Sequence, residues 1–236
     1  MKKPLVGFCA MMVAIALIAG CTSSSDPSPE PRLEMRTSMS SDMVKATSVK
    51  TGAVQGGLFA DSIRVDSVRI LISRIKLKRS DEDTTNGGRD VKTGPALIVF
   101  ARAGVRTAFN TPIPTGTYDK IKLEMHKFSG SEADQYRNDP TFGDFAADRV
   151  TVIVDGTVYE GGTGTPFRLE NDDTENLWMK FDPYVSITSS TTTSVALDFD
   201  AVQVFRAGGS LLHPRDPRAS ITLRDRLKLA FKLTKR

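Results

Sequence analysis

A short acidic segment is the first place where residue types and spacing could bind an ion. The run ENDDTEN from Glu170 to Asn176 carries carboxylates at Asp172, Asp173 and Glu175. Oxygen ligands of this kind suit Ca2+, so these three residues are candidate calcium ligands. The run lacks the spacing and central glycine of an EF-hand loop, and a solvated turn between strands has the same composition. The solvated turn is therefore the interpretation that the spacing favours.

The other residues capable of catalysis form no recognisable constellation. Asp198 and Asp200 flank Phe199 on a predicted strand, so their carboxyl groups share one face; they could serve acid–base chemistry or bind a metal, and solvent exposure on a half-buried strand is the favoured interpretation. The two histidines, His126 and His213, lack the spacing of a zinc site. No nucleophile elbow or phosphate-binding loop occurs, so the sequence predicts neither a catalytic residue nor a cofactor.

The alternation around Trp178 places this aromatic residue outside the core. Leu177, Met179 and Phe181 share the face that is expected to be buried, which leaves Trp178 and Lys180 facing outward. An exposed tryptophan can stack on a sugar ring or anchor a protein interface, and packing under a neighbouring loop is the alternative. Trp178 is therefore a candidate binding residue for a glycan or protein partner.

Cys21 follows a segment with the features of an export signal. Positions 2 and 3 are lysines, the run from Leu5 to Ile18 is mostly apolar, and Ala19 and Gly20 are small. This run has 14 residues, fewer than the roughly 20 that span a bilayer. The pattern resembles a bacterial lipoprotein signal peptide that ends in a lipobox. It implies acylation of the Cys21 thiol and attachment to a membrane outside the cytoplasm.

Removal of such a signal changes what the composition implies. Cys9 would be lost and Cys21 acylated, so the mature chain would have no free thiol for a disulfide, a zinc site or a nucleophile. Loss of the two lysines lowers the formal net charge from +4 to +2. This near balance predicts no nucleic-acid partner and no strong field toward a membrane surface. Thr22 follows Cys21 where a retention signal such as Asp would stand, which favours the outer membrane, with the domain facing the periplasm or the cell surface.

The sequence divides into three parts. Residues 1–20 are the predicted signal peptide, residues 21–60 a lipidated cysteine with a flexible tether, and residues 61–236 a β-rich domain. The tether begins with the polar run from Thr22 to Arg32, which has too few apolar residues to fold. Residues 33–60 are ambiguous, because their loose apolar spacing allows either a first strand or more tether.

Alternating apolar residues from Ile63 onward predict about nine short strands and no helix. A one-residue change of phase between Ile72 and Ile75 predicts a β-bulge. Asp155–Gly156 predicts the type I′ turn of a hairpin. Residues 129–148 are predicted to be a polar insertion.

The C-terminal segment has the clearest alternation in the chain. From Ile221 to Leu233 apolar residues take the odd positions, with Asp225 and Ala230 as the exceptions to the alternation, and this predicts a strand with its apolar side chains in the core. Its even positions carry Arg224, Arg226, Lys228 and Lys232 on an outward basic face. That face could contact lipid phosphate or polysaccharide, or simply prevent aggregation between sheets.

The pattern as a whole predicts an all-β, antiparallel β-sandwich. Three blocks, VRILISRIKL from Val68, IPTGTYDKIKL from Ile113 and SVALDFDA from Ser194, resemble a family of bacterial lipoproteins that carry the 4382-type domain of unknown function. The resemblance covers residues 63–205 and implies a transthyretin-like or immunoglobulin-like sandwich. It brings no catalytic residues.

Taken together, the sequence predicts a lipid-anchored, extracytoplasmic binding or structural module that is not an enzyme. The alternative is an enzyme that acts on cell-wall or extracellular glycans. Two carboxylates converging in a cleft would favour the enzyme. An exposed aromatic patch on a smooth sandwich would favour the binding module.

Overall fold

A computed structural model describes residues 30–47, 58–80, 91–102, 104–189 and 192–235. The predicted signal peptide, Cys21 and much of the predicted tether lie outside these ranges. The described chain is mostly β, with 56% of residues in strands, 18% in helices and several antiparallel sheets. This agrees with the β-rich prediction, but the helices were not predicted.

Within the described ranges the strands, in chain order, are β1 (Arg32–Ser41), β2 (Met43–Lys45), β3 (Ser62–Ile72), β4 (Arg74–Arg79), β5 (Val91–Thr93), β6 (Ala96–Ala101), β7 (Arg106–Pro112), β8 (Gly116–Met125), β9 (Val152–Glu160), β10 (Thr163–Asn171), β11 (Glu175–Ile187), β12 (Thr192–Asp200), β13 (Arg206–Ala207), β14 (Ser210–Leu211) and β15 (Phe231–Lys235). The α-helices are α1 (Gly130–Tyr136), α2 (Gly143–Asp148), α3 (Ala201–Phe205) and α4 (Ser220–Leu227). Short 3-10 turns occupy Pro217–Ala219 and Lys228–Ala230. No helix in the part of the chain described here is both long and apolar enough to cross a membrane.

The strands form three main sheets. The first has the order β15-β12-β1-β7, the second β10-β9-β3-β2 with β6 also paired to β3, and the third β11-β8-β4-β5. β1 pairs in parallel with β12, an exception to the predicted antiparallel pairing. Leu33 and Met35 of β1 are fully buried. The ambiguous region after position 32 therefore begins with an interior strand rather than with more tether.

Two apolar cores hold these layers. The main core draws side chains from all three sheets, and Phe100, Phe199 and Phe231 form a ring cluster in it with centroids 5.5–5.7 Å apart. The second core lies beneath α1 and α2, which cover Leu71 and Ile153 on the opposite face of the second sheet. The predicted polar insertion at 129–148 is therefore a helical cover.

The chain passes from the second sheet to the third at Ser73. Its N–H and its hydroxyl both donate to the carbonyl oxygen of Glu124, at 2.8 and 3.0 Å. The predicted β-bulge between Ile72 and Ile75 is wrong, because this break between β3 and β4 causes the change of phase. The register shift within β3 lies instead between Val65 and Ser67.

The hairpin turn predicted at Asp155–Gly156 is also misplaced. β9 continues through both residues, and a Cβ on Gly156 would meet the carbonyl oxygen of Arg64 at 2.3 Å. This glycine serves a close approach between strands. The turn is formed by Gly161 and Gly162, whose φ angles of 57° and 83° suit a two-residue hairpin loop.

The predicted long C-terminal strand is wrong over most of its length. Residues 220–227 form α4, and only the last part, β15, pairs with β12. Leu223 and Leu227 are four residues apart, a spacing that keeps both on one face of a helix. Because four is an even number, the same two residues also share one face of a strand. Period two and a helical stripe therefore predict the same odd positions here. The start signal Asp216–Pro217, a capping residue before a proline, was the better guide.

Two leucines on this segment distinguish the helix from the predicted strand. Leu227 is 2% exposed and Leu229 is 70% exposed, although alternation places both on the same face. We expect Leu227→Ala to lower the free energy of unfolding by about 2–5 kcal/mol and Leu229→Ala by less than about 0.5 kcal/mol. Equilibrium urea unfolding measures both. Equal losses would contradict the helical assignment.

Candidate functional site

The candidate calcium ligands are held by basic side chains. Asp172 lies 3.4 Å from Lys127 and 3.3 Å from Arg224, and Lys127 holds the pKa of the Asp172 carboxyl below its ordinary value. Glu175 forms an ion pair with Lys228. No three His, Cys, Asp or Glu side chains within the described ranges are grouped to hold a metal ion. The arrangement is a set of cross-links between elements.

Asp173 contributes through its main chain. Its N–H donates to the side-chain oxygen of Asn171 at 3.0 Å, and its carbonyl accepts from the Thr151 hydroxyl at 3.0 Å. The segment from Asn171 to Thr174 is therefore a turn tied to the start of β9. The segment is thus a turn between β10 and β11, the interpretation that the spacing favours.

The C-terminal arginines and Lys228 do not form the predicted outward basic face. Arg224 contacts Asp172, Lys228 contacts Glu175, and Arg226 donates to the main-chain carbonyls of Val204 and Arg206. Each cation thus joins α4 and the turn after it to a neighbouring element.

Asp198 and Asp200 have separate structural partners. The Asp198 carboxylate accepts from the Ser38 hydroxyl of β1. Asp200 caps α3 by accepting from the Val202 N–H at 2.9 Å, which is why β12 ends at this residue. Alternation from Val195 to Phe205 predicts one strand, whereas the structure has β12 up to Asp200 followed by α3.

The two histidines lie in different places. His213 is buried and lies 2.6 Å from the Glu160 carboxylate at the end of β9. His126 is exposed and lines a cleft beside β8.

Trp178 is 57% exposed on β11, facing outward as its alternation predicts. The Lys122 ammonium lies 5.1 Å from the centroid of its ring, within cation–π range. The register places Trp178 directly beside Lys122 of β8. The aromatic ring is therefore part of a charged surface rather than an isolated exposed residue.

This surface is the outer face of the third sheet. It carries six basic side chains on β4, β8 and β11 together with the exposed ring, and we call it the basic face: Arg74, Lys76, Lys78, Lys120, Lys122, Trp178 and Lys180. These residues fall in rows across the strands. One row is Trp178–Lys122–Lys76, continued by the register position of Lys92 on β5, and the next is Lys180–Lys120–Lys78. The alternating apolar residues on the other side of each strand enter the main core.

Glu124 fixes one end of the basic face. Its carboxylate lies 2.8 Å from the ammonium groups of both Lys122 and Lys76 and 3.5 Å from the Arg74 guanidinium. The side chain is buried, and Lys122 together with Lys76 lowers its pKa to about 2. Glu124 therefore holds two lysines of the first row in fixed positions.

The second row brings like charges together across two interior strands, β8 and β4, and the edge strand β11. Lys120 is directly opposite Lys180 on one side and Lys78 on the other. Like charges directly opposite each other on a sheet destabilise it. Lys120 forms an ion pair with the carboxylate of Asp119, at 3.5 Å. The sheet thus carries an electrostatic cost at a place where the sequence could have had neutral residues.

A cleft of about 440 Å³ adjoins the Glu124 end of the basic face. Its cationic wall is formed by Arg74, Lys127 and Arg149, and its carboxylates are Glu124 and Glu132. Glu132 accepts from the Ser129 N–H at 2.8 Å in the capping box of α1, and Ser129 lowers the pKa of this carboxyl. Both carboxyl groups are therefore held in the ionised form.

Arg149 has a strained backbone beside this cleft. It ends α2 in the left-handed region, with φ 53° and ψ 46°, where glycine is the ordinary residue. A left-handed conformation costs a non-glycine residue about 1–2 kcal/mol. Its guanidinium lies 3.5 Å from the carbonyl oxygen of Phe128. Backbone outliers of this kind cluster at functional sites.

Sequence reasoning found the parts of this surface without joining them. It placed Trp178 and Lys180 on the outward face of one strand, and the alternation of Lys120, Lys122 and Glu124 with apolar residues predicts the same for a second strand. It missed that the two strands are neighbours and in register. A comparison of the basic residues at alternate positions on all three strands was the available signal.

Comparison with family models, curated proteins and solved structures gives no match for this chain. The resemblance to lipoproteins with the 4382-type domain therefore stays a prediction. Function has to be argued from the basic face and its cleft.

The depressed pKa of Glu124 predicts a specific dependence of stability on pH. Because the pKa of Glu124 is lowered in the folded state, its carboxylate stabilises the folded protein fully at pH values above the ordinary pKa of 4.5. This contribution is lost as the pH falls toward about 2. Glu124→Gln should remove about 2 kcal/mol of stability at pH 7. The variant should also lose less stability than the wild type between pH 5 and pH 2. Parallel stability curves for the two proteins in urea titrations would contradict this role.

Proposed function

We propose that this protein is a lipid-anchored, extracytoplasmic binding module whose contact surface is the basic face. One observation carries the proposal: Lys120 on the interior strand β8 has a lysine directly opposite on each side, Lys78 on β4 and Lys180 on the edge strand β11, beside the exposed ring of Trp178. A bound anionic partner would turn the repulsion between these lysines into attraction. Conflicts between local stability and charge placement of this kind are typical of binding sites.

The alternative of a purely structural module explains the lysines less well. Lysines that guard against aggregation belong on edge strands, where unpaired main-chain groups are exposed. In the third sheet β8 and β4 are interior strands, and Lys120 and Lys122 lie on β8. Guarding an edge therefore gives no reason for these positions.

The cleft beside the basic face bears on the alternative of a glycan-cleaving enzyme. Two carboxylates, Glu124 and Glu132, do line it, which is the arrangement that would favour an enzyme. A glycosidase needs one carboxyl group whose pKa is raised so that it can donate a proton. Basic side chains lower the pKa of Glu124, and the capping box lowers that of Glu132. This supports binding over hydrolysis.

The finer fold and the location are part of the same proposal. The three blocks of the lipoprotein resemblance fall on β3–β4, on β8 with its preceding turn, and on β12, which all contribute to the main core. This supports a transthyretin-like or immunoglobulin-like sandwich. The lipobox pattern before Cys21 supports a signal peptide, a tether and an outer-membrane anchor.

Anchoring is tested by replacing the acylated residue. Each buried methylene of an acyl chain contributes about 0.8 kcal/mol, and stable attachment takes more than one chain. Cys21→Ser should therefore move the protein from the detergent-requiring fraction to the soluble fraction of a cell lysate. Wild-type protein that is soluble without detergent would contradict the lipobox.

Binding is tested by capture from a cell-envelope extract. The full-length protein, solubilised in mild detergent and immobilised, should retain a polysaccharide or protein component. Lys120→Gln/Lys180→Gln should lose most of that capture. The matched control is Lys45→Gln/Lys232→Gln, which removes the same charge at exposed positions of β2 and β15. Equal capture by the two double variants, or no capture by the wild type, would overturn the proposed surface.

A further inference from the structure

We infer that the partner of the basic face is an acidic polysaccharide, a chain of sugar rings carrying carboxylates at regular intervals. This inference rests on the proposed function and names its ligand class. Its basis is the first row, in which one exposed aromatic ring and two ammonium groups lie in line across three strands.

The composition of the row selects a ligand with two kinds of group. The ring of Trp178 offers an apolar face on which the C–H face of a sugar can stack. Beside it, Lys122 and Lys76 share the single carboxylate of Glu124, and Lys120 and Lys180 of the second row add further cations that can pair with carboxylates. Neighbouring strands lie about 4.8 Å apart, a step close to the length of one sugar unit in an extended chain. A chain laid across the strands meets the ring first and the lysines next.

The fixed positions of these lysines favour a polymer over a membrane. The Lys122 side chain is only 15% exposed and that of Lys76 23%, and both are bound to Glu124. Lipid headgroups move freely and need no fixed spacing of charges. A surface that inserts into a bilayer also needs several protruding apolar side chains, whereas the basic face as defined here has Trp178 alone.

The aromatic ring favours a sugar over an acidic peptide. An acidic peptide would be recognised by the lysines alone, with no reason for a large exposed ring in the same row. The cleft offers further cations to such a chain. The register row that contains Glu124 ends at Arg74, and Arg74 lines the cleft together with Lys127 and Arg149. A charged sugar at a chain end or on a branch has cationic partners there.

The test compares defined polymers on the full-length protein in mild nonionic detergent. Polygalacturonate is the acidic polysaccharide, its methyl ester is the same chain without charge, and polyglutamate carries carboxylates without sugar rings. Trp178 is the single tryptophan of the chain, so its fluorescence reports directly on the first row. Polygalacturonate should shift this fluorescence and bind more weakly as salt is added, and the ester should do neither.

Two variants separate the two kinds of contact. Lys120→Gln/Lys180→Gln should weaken polygalacturonate binding about tenfold or more, while its thermal stability stays equal to or above that of the wild type, because repulsion is relieved. Lys45→Gln/Lys232→Gln should bind as the wild type does. Trp178→Ala, followed by calorimetry, should weaken polygalacturonate binding about fivefold or more and leave polyglutamate binding unchanged.

Several results would overturn the ligand class. Polyglutamate binding as tightly as polygalacturonate would indicate an acidic peptide, and preferential binding to detergent micelles doped with phosphatidylglycerol would indicate a lipid surface. Binding of neither polysaccharide would also refute it. In each of these cases, envelope capture that still depends on Lys120 and Lys180 would leave the binding module standing. Loss of that dependence would refute both.

Discussion

Glu124 is the residue on which the third sheet and its outer surface both depend. Its main-chain carbonyl accepts two hydrogen bonds from Ser73, where the chain leaves the second sheet and enters the third. Its carboxylate binds the ammonium groups of Lys76 and Lys122 and faces the Arg74 guanidinium. The main chain of Glu124 thus holds the strand break after which β4 pairs with β8. Its carboxylate partly neutralises the cations that this pairing brings together. Without a carboxylate here, three cations would face one another on adjacent strands with no anion between them.

Local patterns in the sequence predicted the strands far better than they predicted the pairing. The outward position of Trp178 follows from alternation within one strand, and the structure has it there. The α1 cover follows from a capping box, Ser129 with Glu132, that alternation cannot detect. The parallel pairing of β1 with β12 joins segments about 160 residues apart, as in the contact between Ser38 and Asp198. No local period carries such information, because pairing depends on which buried faces find each other.

The same distinction separates the net charge of the chain from the charge of one surface. Thirty basic and twenty-eight acidic residues in the chain after position 20 predict no strong field, and the sum is correct. The acidic residues, however, are used elsewhere in the fold: Asp172 and Glu175 neutralise cations on and beside α4, and Asp155 and Asp144 neutralise Arg69 and Arg168. At the Glu124 end of the basic face, one carboxylate is shared by three cations, Lys76, Lys122 and Arg74, so positive charge is in excess there. A balanced chain can therefore present one strongly basic surface, and only the register of the strands reveals it.

Two costs in free energy remain, one on the basic face and one at the cleft that adjoins its Glu124 end. The lysine pairs around Lys120 repel each other across β8, and Arg149 keeps a backbone conformation that glycine would adopt without strain. Neither is needed to close the cores: the lysines lie on the outer face of the sheet, and a glycine could end α2 equally well. Costs that the fold does not require are retained when something outside the fold offsets them. An anionic chain on the basic face would relieve the first, and an anionic group in the cleft would give the Arg149 side chain a use that accounts for the second. A single kind of ligand thus explains two features that packing leaves without a cause.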